Sequence, residues 1–487
     1  MMQEWANWAL DTARVRGATY ADVRVMDIRH RDLSTKNGEV GTLAESESLG
    51  IGVRVVAEGA WGFASTDRLT REGVQACAAE AVAIARASAL AKRHDVVMAP
   101  EQPYVDTWQN PYVKDPFRIS IEKQLELLLA ADAEMRKVKG VTLAETSMQF
   151  RRMEQLFASS IGSSIHQVKV QSGAGIVAMS FSGNEIQKRS YPNSFGGQHM
   201  LAGYELVESL DLVGNARRVA EECVALHSAA QCPEGTRTII LDSSQLGLQI
   251  HESIGHPIEL DRVLGMEANF AGMSFLTLDK LGTLRYGSDI VNVVADARMA
   301  HGSGLGTFGN DDEGVPAQCT KIITDGLFTG YLSNRETAAA IGEQRSGGTM
   351  RTESWNRLPI IRMTNISILP GTWKPDDLIA DTDDGIYMET NRSWSIDDRR
   401  YHFQFSTEIG WEIKGGKKVR MLKHPSYSGI TTEFWNSCEA ICSRDNWTLW
   451  GTPNCGKGQP MQTMGTGHGA APARFRNVKV GIAFAKG

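Results

Sequence analysis

The spacing of apolar and polar residues divides the chain into two kinds of segment. Apolar residues at helical spacing predict amphipathic helices, and strict alternation predicts strands. The predicted helices span residues 3–16, 70–91, 119–138, 211–230, 333–342 and 433–442. The predicted strands lie within residues 21–66, 140–200, 236–241, 289–294, 321–324, 358–369, 401–411 and 477–483.

The order of these segments predicts an α+β fold in two parts. Residues 1–230 are expected to form an N-terminal α/β domain of helices and antiparallel strands, with a sub-boundary near the proline-rich stretch 99–116. Residues 231–487 are expected to form a mostly antiparallel β domain, for which closure into a barrel is one form. Within the first part the order helix, strands, helix occurs twice.

Composition limits the class of protein. The 487 residues include 51 Lys and Arg against 57 Asp and Glu, so no basic field favours nucleic acid. The N-terminus lacks a secretory signal, and no stretch approaches the roughly 20 apolar residues of a membrane helix. Seven scattered cysteines favour a reducing compartment over a disulfide framework. We therefore expect a cytoplasmic protein with neither nucleic acid nor membrane as a partner.

The clearest chemical motif is the string from His251 to His256, with Glu252 beside the first histidine. Two neutral imidazoles can bind a metal, and the carboxylate can accept a proton, as in zinc hydrolases. The string resembles the H-E-x-x-H zinc helix with one additional residue. It follows a predicted strand and a helix cap at Asp242 or Ser243. From the string alone, histidines with purely structural partners are an equally good explanation.

The additional residue sets a geometric condition on this motif. Helix positions five apart are separated by roughly 140° around the axis, against roughly 40° for positions four apart. The two histidines can therefore share one metal only where the helix widens, as in a π-bulge. Gly255 lowers helix stiffness, and Pro257 has no N–H to return to the preceding turn. The sequence thus predicts a widened turn near residues 253–256.

A catalytic zinc also needs a third protein ligand. Cys455 is the most discriminating candidate because a thiolate binds zinc strongly, although a small buried residue in a loop is the commoner role of a lone cysteine. Cys438 and Cys442 lie on a predicted helix and are expected in the core. Spacing alone does not exclude three further histidines as ligands, namely His301, His402 and His468.

Other charged residues are candidates for supporting the histidines or binding a substrate. Glu259 and Asp261 come just after the motif and could hydrogen-bond its imidazoles. The acidic run Asp311-Asp312-Glu313 most often forms an exposed turn without a functional role. Two functional interpretations are hydrogen bonds that support the histidines and a site for a hard cation. Candidates for binding a substrate carboxylate are Arg351, Arg357 and Arg362.

Several stretches share a recognisable pattern, in one order, along nearly the whole chain. They are residues 20–25, 59–65, 251–259, 311–316, 362–365 and 455–459. In this pattern the chain resembles the TldD/PmbA family. The resemblance implies a metallopeptidase that cleaves unfolded or extended peptides, with an N-terminal α/β part and a C-terminal β part. It implies one zinc per active subunit, with ligands His251, His256 and Cys455 and with Glu252 as the base.

The resemblance also implies a dimer, of two copies or with a PmbA/TldE-type subunit that lacks the metal motif. Because this chain retains the motif, it resembles the catalytic TldD type. Glu252 would then take the proton of a zinc-bound water that attacks the scissile carbonyl, and would pass it to the leaving amine. The peptide would lie extended along a strand edge. The chain departs from the family pattern at residues 459–464 and 373–400.

Two other functions stay open at this point. The chain could be a non-catalytic dimer partner or modulator protein with a structural or vestigial metal site, although such a protein has no need for the base Glu252. It could also be a zinc amidase that acts on a non-peptide bond, because the same residues support that chemistry.

Overall fold

The computed structural model describes residues 1–298 and 302–481. The candidate ligand His301 and residues 482–483 of the last predicted strand lie outside the described residues. The predicted α+β class is confirmed, with mostly antiparallel sheets. In the part of the chain that the structure describes, no helix is long and apolar enough to cross a membrane.

The N-terminal part contains an eight-stranded sheet and five helices. The helices are α1 (Met2–Val15), α2 (Arg71–Ala89), α3 (Ile121–Arg136), α4 (Glu205–Ser209) and α5 (Leu212–Ala225). The strands are β1 (Tyr20–Lys36), β2 (Glu39–Ala57), β3 (Ala60–Thr66), β4 (Val105–Gln109), β5 (Leu143–Ser159), β6 (Ser164–Ser182), β7 (Glu185–Tyr191) and β8 (Gln198–Met200).

In this sheet the strands follow the order β3-β2-β1-β5-β6-β4, and β7 and β8 also pair with β6. Neighbours are antiparallel except β4 and β6, which are parallel. One hydrophobic core joins α1 and α2 to β1, β2 and β3, and another joins α3 and α5 to β5 and β6. The repeated order of helix, strands and helix predicted for residues 1–230 is therefore present.

The C-terminal part is built mainly from strands. Its helices are α6 (Ser243–Ile250), α7 (Leu260–Val263), α8 (Arg335–Ala340), α9 (Pro375–Ala380) and α10 (Thr431–Asn436). Its strands are β9 (Ala230–Gln231), β10 (Gly235–Leu241), β11 (Val293–Asp296), β12 (Cys319–Thr324), β13 (Leu327–Phe328), β14 (Met350–Arg351), β15 (Ile360–Ile361), β16 (Ile366–Ile368), β17 (Asp384–Ile396), β18 (His402–Lys414), β19 (Lys417–Lys423), β20 (Ser426–Ile430), β21 (Cys438–Ile441), β22 (Thr448–Lys457), β23 (Gln462–Ala470) and β24 (Ala473–Val480).

Five of these strands close into a barrel-like ring. The order is β17-β10-β24-β20-β18, and β18 pairs back onto β17. The pairing of β10 with β17 is parallel, and the other pairings of the ring are antiparallel. Strand β10 leads directly into α6, so the ring is the rigid element on which the His-Glu string is mounted.

Two sequence-based predictions in this part are wrong. The helix expected at residues 433–442 ends at Asn436, and Cys438–Ile441 forms β21, which pairs with β24. Pairing with β24 gives this segment its backbone hydrogen bonds, and a prediction from helical spacing does not take such distant partners into account. Cys438 and Cys442 are nevertheless buried in the core, as expected. The strand expected over residues 358–369 is interrupted, because only β15 and β16 form there.

Buried charged residues join the two parts of the chain. Arg54 of β2 donates to Asp22 at 2.6 Å and to Glu313 at 3.1 Å, and these side chains are buried. Glu408 of β18 accepts hydrogen bonds of 2.7 Å from the backbone and hydroxyl of Ser190. Residues 311–313 are all buried, so the prediction of an exposed turn there is wrong. The domain boundary at 230/231 stays a prediction.

Candidate metal centre

The helix α6 positions the His-Glu string. Asp242 caps it, with carboxylate oxygens 3.0 Å from the backbone nitrogens of Ser244 and Gln245. A cap of this kind satisfies N–H groups that lack partners at the start of a helix. The residues from Ser244 to Ile250 are all buried, so the end of α6 has little freedom to move.

The predicted widening of the helix is confirmed. Residues His251–Gly255 form a π-helical turn, in which the backbone N–H of His256 donates to the carbonyl of His251, 3.1 Å away. This turn places both imidazoles on one side of the helix. Their ring centroids are 4.8 Å apart, and their planes are nearly perpendicular.

Side chains donate hydrogen bonds to backbone carbonyls around the π-turn. The hydroxyl of Ser253 donates to the carbonyl of Gln249 at 2.5 Å. Pro257 has no N–H for the carbonyl of Ser253, and the buried hydroxyl of Tyr286 donates to that carbonyl instead. Gly255 is required by close packing, because a Cβ there would lie 2.1 Å from the sulfur of Met363.

The structure brings His251, His256 and Cys455 together. One potential ligand atom from each lies within 4.8 Å of the others, and all three residues are at least 95% buried. The thiol of Cys455 is 3.7 Å from Nε2 of His256. Cys455 belongs to strand β22, where it pairs with Met464 of β23. It is therefore part of a β-hairpin that the sequence reading missed, and not of a loop.

The protonation states of this cluster suit a metal ion. Burial acts to raise the pKa of the Cys455 thiol, but Arg362 and His256 outweigh it, and the pKa is lowered from its ordinary value. Burial lowers the pKa of both His251 and His256, which favours neutral imidazoles. Two neutral imidazoles and a thiolate are a donor set that zinc prefers.

In both His251 and His256, the ring nitrogen Nδ1 has a polar side chain within hydrogen-bonding distance. Nδ1 of His251 is 2.7 Å from Nε2 of His468, and Nδ1 of His256 is 3.0 Å from the carboxylate of Glu259. Such contacts orient metal-binding imidazoles and leave Nε2 available to a metal. His468 is thus placed as a partner of His251, whereas His402 lies at the exposed start of β18.

Lys457 neutralises the carboxylates behind His256. Its ammonium is 2.7 and 2.8 Å from the two carboxylate oxygens of Asp261 and 3.3 Å from Glu259, and the side chain is fully buried. Lys457 and His256 outweigh burial and lower the pKa of Glu259. Of the two carboxylates expected to hydrogen-bond the imidazoles, Glu259 contacts His256, whereas Asp261 pairs with Lys457. In the sequence, the only indication of this role for Lys457 is that it follows Cys455 by two residues.

Arg400 pairs with Glu252, and the sequence reading missed it. A guanidinium nitrogen lies 2.6 Å from a carboxylate oxygen of Glu252. Arg400 occupies a turn with φ of 65°, which Asp397 stabilises by accepting hydrogen bonds from the backbone of Tyr401 and His402. No local pattern in residues 373–400 indicates this contact, because it depends on how β17 and β18 pack against α6.

The remaining candidates have other partners. Arg351 donates to the backbone carbonyls of Met363, Gly465 and Leu305, and Arg362 donates to those of Gln462 and Cys455. Asp311 accepts backbone N–H groups, and Asp312 accepts the side-chain amide of Gln155 at 2.7 Å. Among the described contacts, neither carboxylate reaches His251 or His256.

Comparison with known proteins identifies the family of this chain. The model of the PmbA/TldA metallopeptidase C-terminal domain matches residues 234–481, more than half of the chain, and the model of domain 1 matches residues 21–85. The chain is a member of the PmbA/TldD metallopeptidase family. The candidate centre lies within the matched C-terminal domain.

Relatives of this PmbA/TldD member are named as metalloproteases. One from Methanocaldococcus jannaschii is 27% identical over 87% of this chain and 89% of its own length. One from Methanothermobacter thermautotrophicus is 29% identical over 95% of each chain. A metalloprotease TldD homolog of Haemophilus influenzae is 27% identical over 93% of this chain and 92% of its own. These names point to a metal cofactor.

Solved structures of similar proteins have the same fold. A Thermotoga maritima protein, described as a candidate modulator of a DNA gyrase, has a TM-score of 0.79 at 16% identity and covers 99% of this chain and 100% of its own. TldE from Thermococcus kodakarensis has a TM-score of 0.74 at 15% identity and covers 98% of this chain and 100% of its own. At these identities the likeness shows the fold alone.

Proposed function

We propose that this PmbA/TldD member is a catalytic, TldD-type zinc peptidase that hydrolyses peptide bonds in unfolded or extended peptides. The observation that carries the proposal is the buried cluster of His251, His256 and Cys455, with Glu252 next to His251 in the same π-turn. A purely structural site has no need for an acid-base group next to the metal. The metalloprotease names of the relatives support the peptidase class.

In this proposal the zinc ligands are Nε2 of His251, Nε2 of His256 and the thiolate of Cys455. Three protein ligands leave one position open, as catalytic zinc sites require. Bound zinc supplies Lewis acidity, which makes water more acidic and a carbonyl carbon more electrophilic. His468 and Glu259 hold the two imidazoles through Nδ1, which leaves Nε2 of each available to the metal.

Glu252 is the proposed general base and acid. Its carboxylate accepts one proton from water while the water oxygen bonds to the scissile carbonyl carbon. When the carbon–nitrogen bond breaks, the protonated Glu252 returns that proton to the leaving amine, and the carboxylate is restored. The π-turn that carries Glu252 also carries His251 and is followed directly by His256, so one backbone segment positions the proton acceptor and both imidazoles.

Arg400 is the proposed positioning residue for this base. Its guanidinium holds one oxygen of Glu252 at 2.6 Å and leaves the second oxygen to accept the proton of water. Charge-assisted hydrogen bonds of this length restrict a carboxylate to one orientation. The turn at residues 397–400 fixes the guanidinium, and the hydroxyl of Thr431 donates to the carbonyl of Arg400 at 2.8 Å.

The substrate, the partner and the compartment are part of the same proposal. We propose that an extended peptide lies along the outer edge of the hairpin β22–β23, where main-chain hydrogen bonds tolerate many side chains. The fold shared with TldE supports a dimer, either with a PmbA/TldE-type subunit or with a second copy. The seven cysteines are all free, which supports a cytoplasmic, reducing environment.

Two variants test the catalytic assignment. Glu252→Gln should retain zinc and lower the rate of peptide hydrolysis by at least about a hundredfold, because the proton acceptor is lost. Cys455→Ala should lower the zinc content, whereas the matched variant Cys319→Ala, at a half-buried position outside the cluster, should not. Hydrolysis by Glu252→Gln at the parent rate would show that the mechanism is wrong.

The purified parent protein also tests the alternative of a non-catalytic partner or modulator. The purified protein should hydrolyse a denatured protein substrate, lose this activity with a chelator and regain it with zinc. Zinc that is present in the absence of any hydrolysis would favour a structural site. Cleavage of amides other than peptide bonds would favour the zinc amidase.

A further inference from the structure

A charged cavity lies between the N-terminal sheet and the hairpin β22–β23. Its lining includes Arg151 of β5, Lys169 of β6, Arg351 of β14 and Met464 of β23. Met464 pairs with Cys455 across the hairpin, so the cavity borders the strand pair that carries a proposed zinc ligand. The cavity therefore lies next to the hairpin along whose edge we propose that the peptide binds.

The cavity carries an excess of positive charge. Its ionisable lining consists of three cations, Arg151, Lys169 and Arg351, and two carboxylates, Asp311 and Asp312. Both carboxylates already accept hydrogen bonds, from backbone N–H groups and from Gln155 respectively. Even with both of them ionised, one positive charge remains without compensation from the lining.

Lys169 is the cation without an anionic partner. Its ammonium lies over the ring of Phe308, 5.4 Å from the ring centre, and no carboxylate of the described residues lies within 4.0 Å of it. Arg351 differs, because its guanidinium is engaged by three backbone carbonyls. Burial, followed by Arg351, lowers the pKa of Lys169 to about 8, and the carboxylate of Asp312 opposes this shift.

Arg151 is a second cation in the lining of the same cavity. One terminal nitrogen donates to the carbonyl of Glu353 at 2.5 Å. Its Nε is buried and has no hydrogen-bond partner among the described residues. The positive charge of Arg151 adds to that of Lys169 at the wall of the cavity.

We propose that Lys169, together with Arg151, binds a carboxylate of the substrate. The carboxylate is either the C-terminus of the peptide or an Asp or Glu side chain, since both present the same pair of oxygens. This inference rests on the proposed peptidase function and adds a preference for anionic peptides. Lys169 is a specificity-determining residue in this proposal and takes no part in bond cleavage.

Binding is measured in the zinc-loaded Glu252→Gln variant, which prevents cleavage during the experiment. The probes are a dansylated Gly-Ala-Ala-Ala with a free C-terminus, its C-terminal amide, and a dansylated Gly-Ala-Glu-Ala amide. Fluorescence anisotropy gives the Kd of each probe. The first and third probes distinguish the two sources of the carboxylate, and the amide is the neutral reference.

At least one of the carboxylate probes should bind about tenfold to a hundredfold more tightly than the neutral amide, as for a partly desolvated charge pair. A further Lys169→Met substitution should remove this preference with little change for the neutral probe. Lys169→Arg should retain it. Lys139→Met, which removes the same charge from an exposed position after α3, is the matched control and should also retain it.

Equal binding of all three probes, an unchanged preference in Lys169→Met, or no binding of any probe would each overturn the inference. The parent enzyme, assayed for hydrolysis of the same peptides, separates this result from the proposed function. If binding prefers carboxylate probes in a Lys169-dependent way but the parent enzyme hydrolyses none of the peptides, the carboxylate site is supported and the peptidase function is contradicted. Equal hydrolysis of all three peptides, unaffected by Lys169→Met, retains the peptidase and rejects the site.

Discussion

The guanidinium of Arg400 lies 2.6 Å from the carboxylate of Glu252, although 148 residues separate the two along the chain. Glu252 belongs to the π-turn that follows α6, and Arg400 belongs to the turn between β17 and β18. The barrel-like ring brings these two segments together. The candidate base is thus oriented by a part of the chain that carries no recognisable motif.

Arg400→Met should lower kcat by about tenfold to a hundredfold, because a misplaced catalytic group has an effect of this order. Zinc content should stay the same, since Arg400 contacts none of the proposed ligands. Steady-state kinetics on a peptide, with metal analysis, measure both quantities. The neighbouring Arg399→Met, at an exposed position, is the control and should retain the parent kcat. A parent-like kcat for Arg400→Met would contradict the positioning role.

His468→Phe should weaken zinc binding by about tenfold to a hundredfold, as is usual when the partner of a metal-binding histidine is removed. Phe keeps the bulk of the ring but cannot accept a hydrogen bond from Nδ1 of His251. Competition with a chromogenic chelator measures the zinc affinity. His402→Phe, which changes a histidine at the exposed start of β18, should leave the affinity unchanged. Equal affinities for the two variants would count against the assignment.

Tyr286→Phe should destabilise the protein by about 1–3 kcal/mol, because the buried carbonyl of Ser253 loses its hydroxyl donor. Zinc affinity should fall as well, since that hydrogen bond supports the π-turn. Tyr331→Phe is the control, because its hydroxyl donates to the carbonyl of Leu276 at 2.9 Å, away from the turn. This control should lose stability without losing zinc affinity, as measured by thermal unfolding and chelator competition.

Glu313→Ala should destabilise the protein by about 3–5 kcal/mol, since it leaves the buried Arg54 with one of its two carboxylate partners missing. Zinc content of the folded protein should be unchanged, because the contacts of Glu313 join the two parts of the chain. Thermal unfolding and metal analysis below the transition measure the two effects. Asp67→Ala, at an exposed position, should change neither. A loss of zinc from folded Glu313→Ala would instead support a role at the metal centre.

Features that depend on neighbouring residues could be predicted from the sequence. The widened turn was predicted from the five-residue separation of His251 and His256 and from Pro257, and both are local properties of the backbone. The long helices of the N-terminal part follow from their apolar periodicity. The helix expected at residues 433–442 failed because the pairing of β21 with β24 depends on residues more than thirty positions away.

The sequence by itself determined which chemical groups are available, including two imidazoles, a carboxylate and a thiol, and that the helix must widen for both imidazoles to share one metal. Only the tertiary structure decided their surroundings: Arg400 on Glu252, His468 on His251 and Lys457 behind Glu259. The physical reason is that a hydrogen bond between distant segments leaves no periodic trace in either segment. Such contacts become visible only when sheet pairing has closed the barrel-like ring.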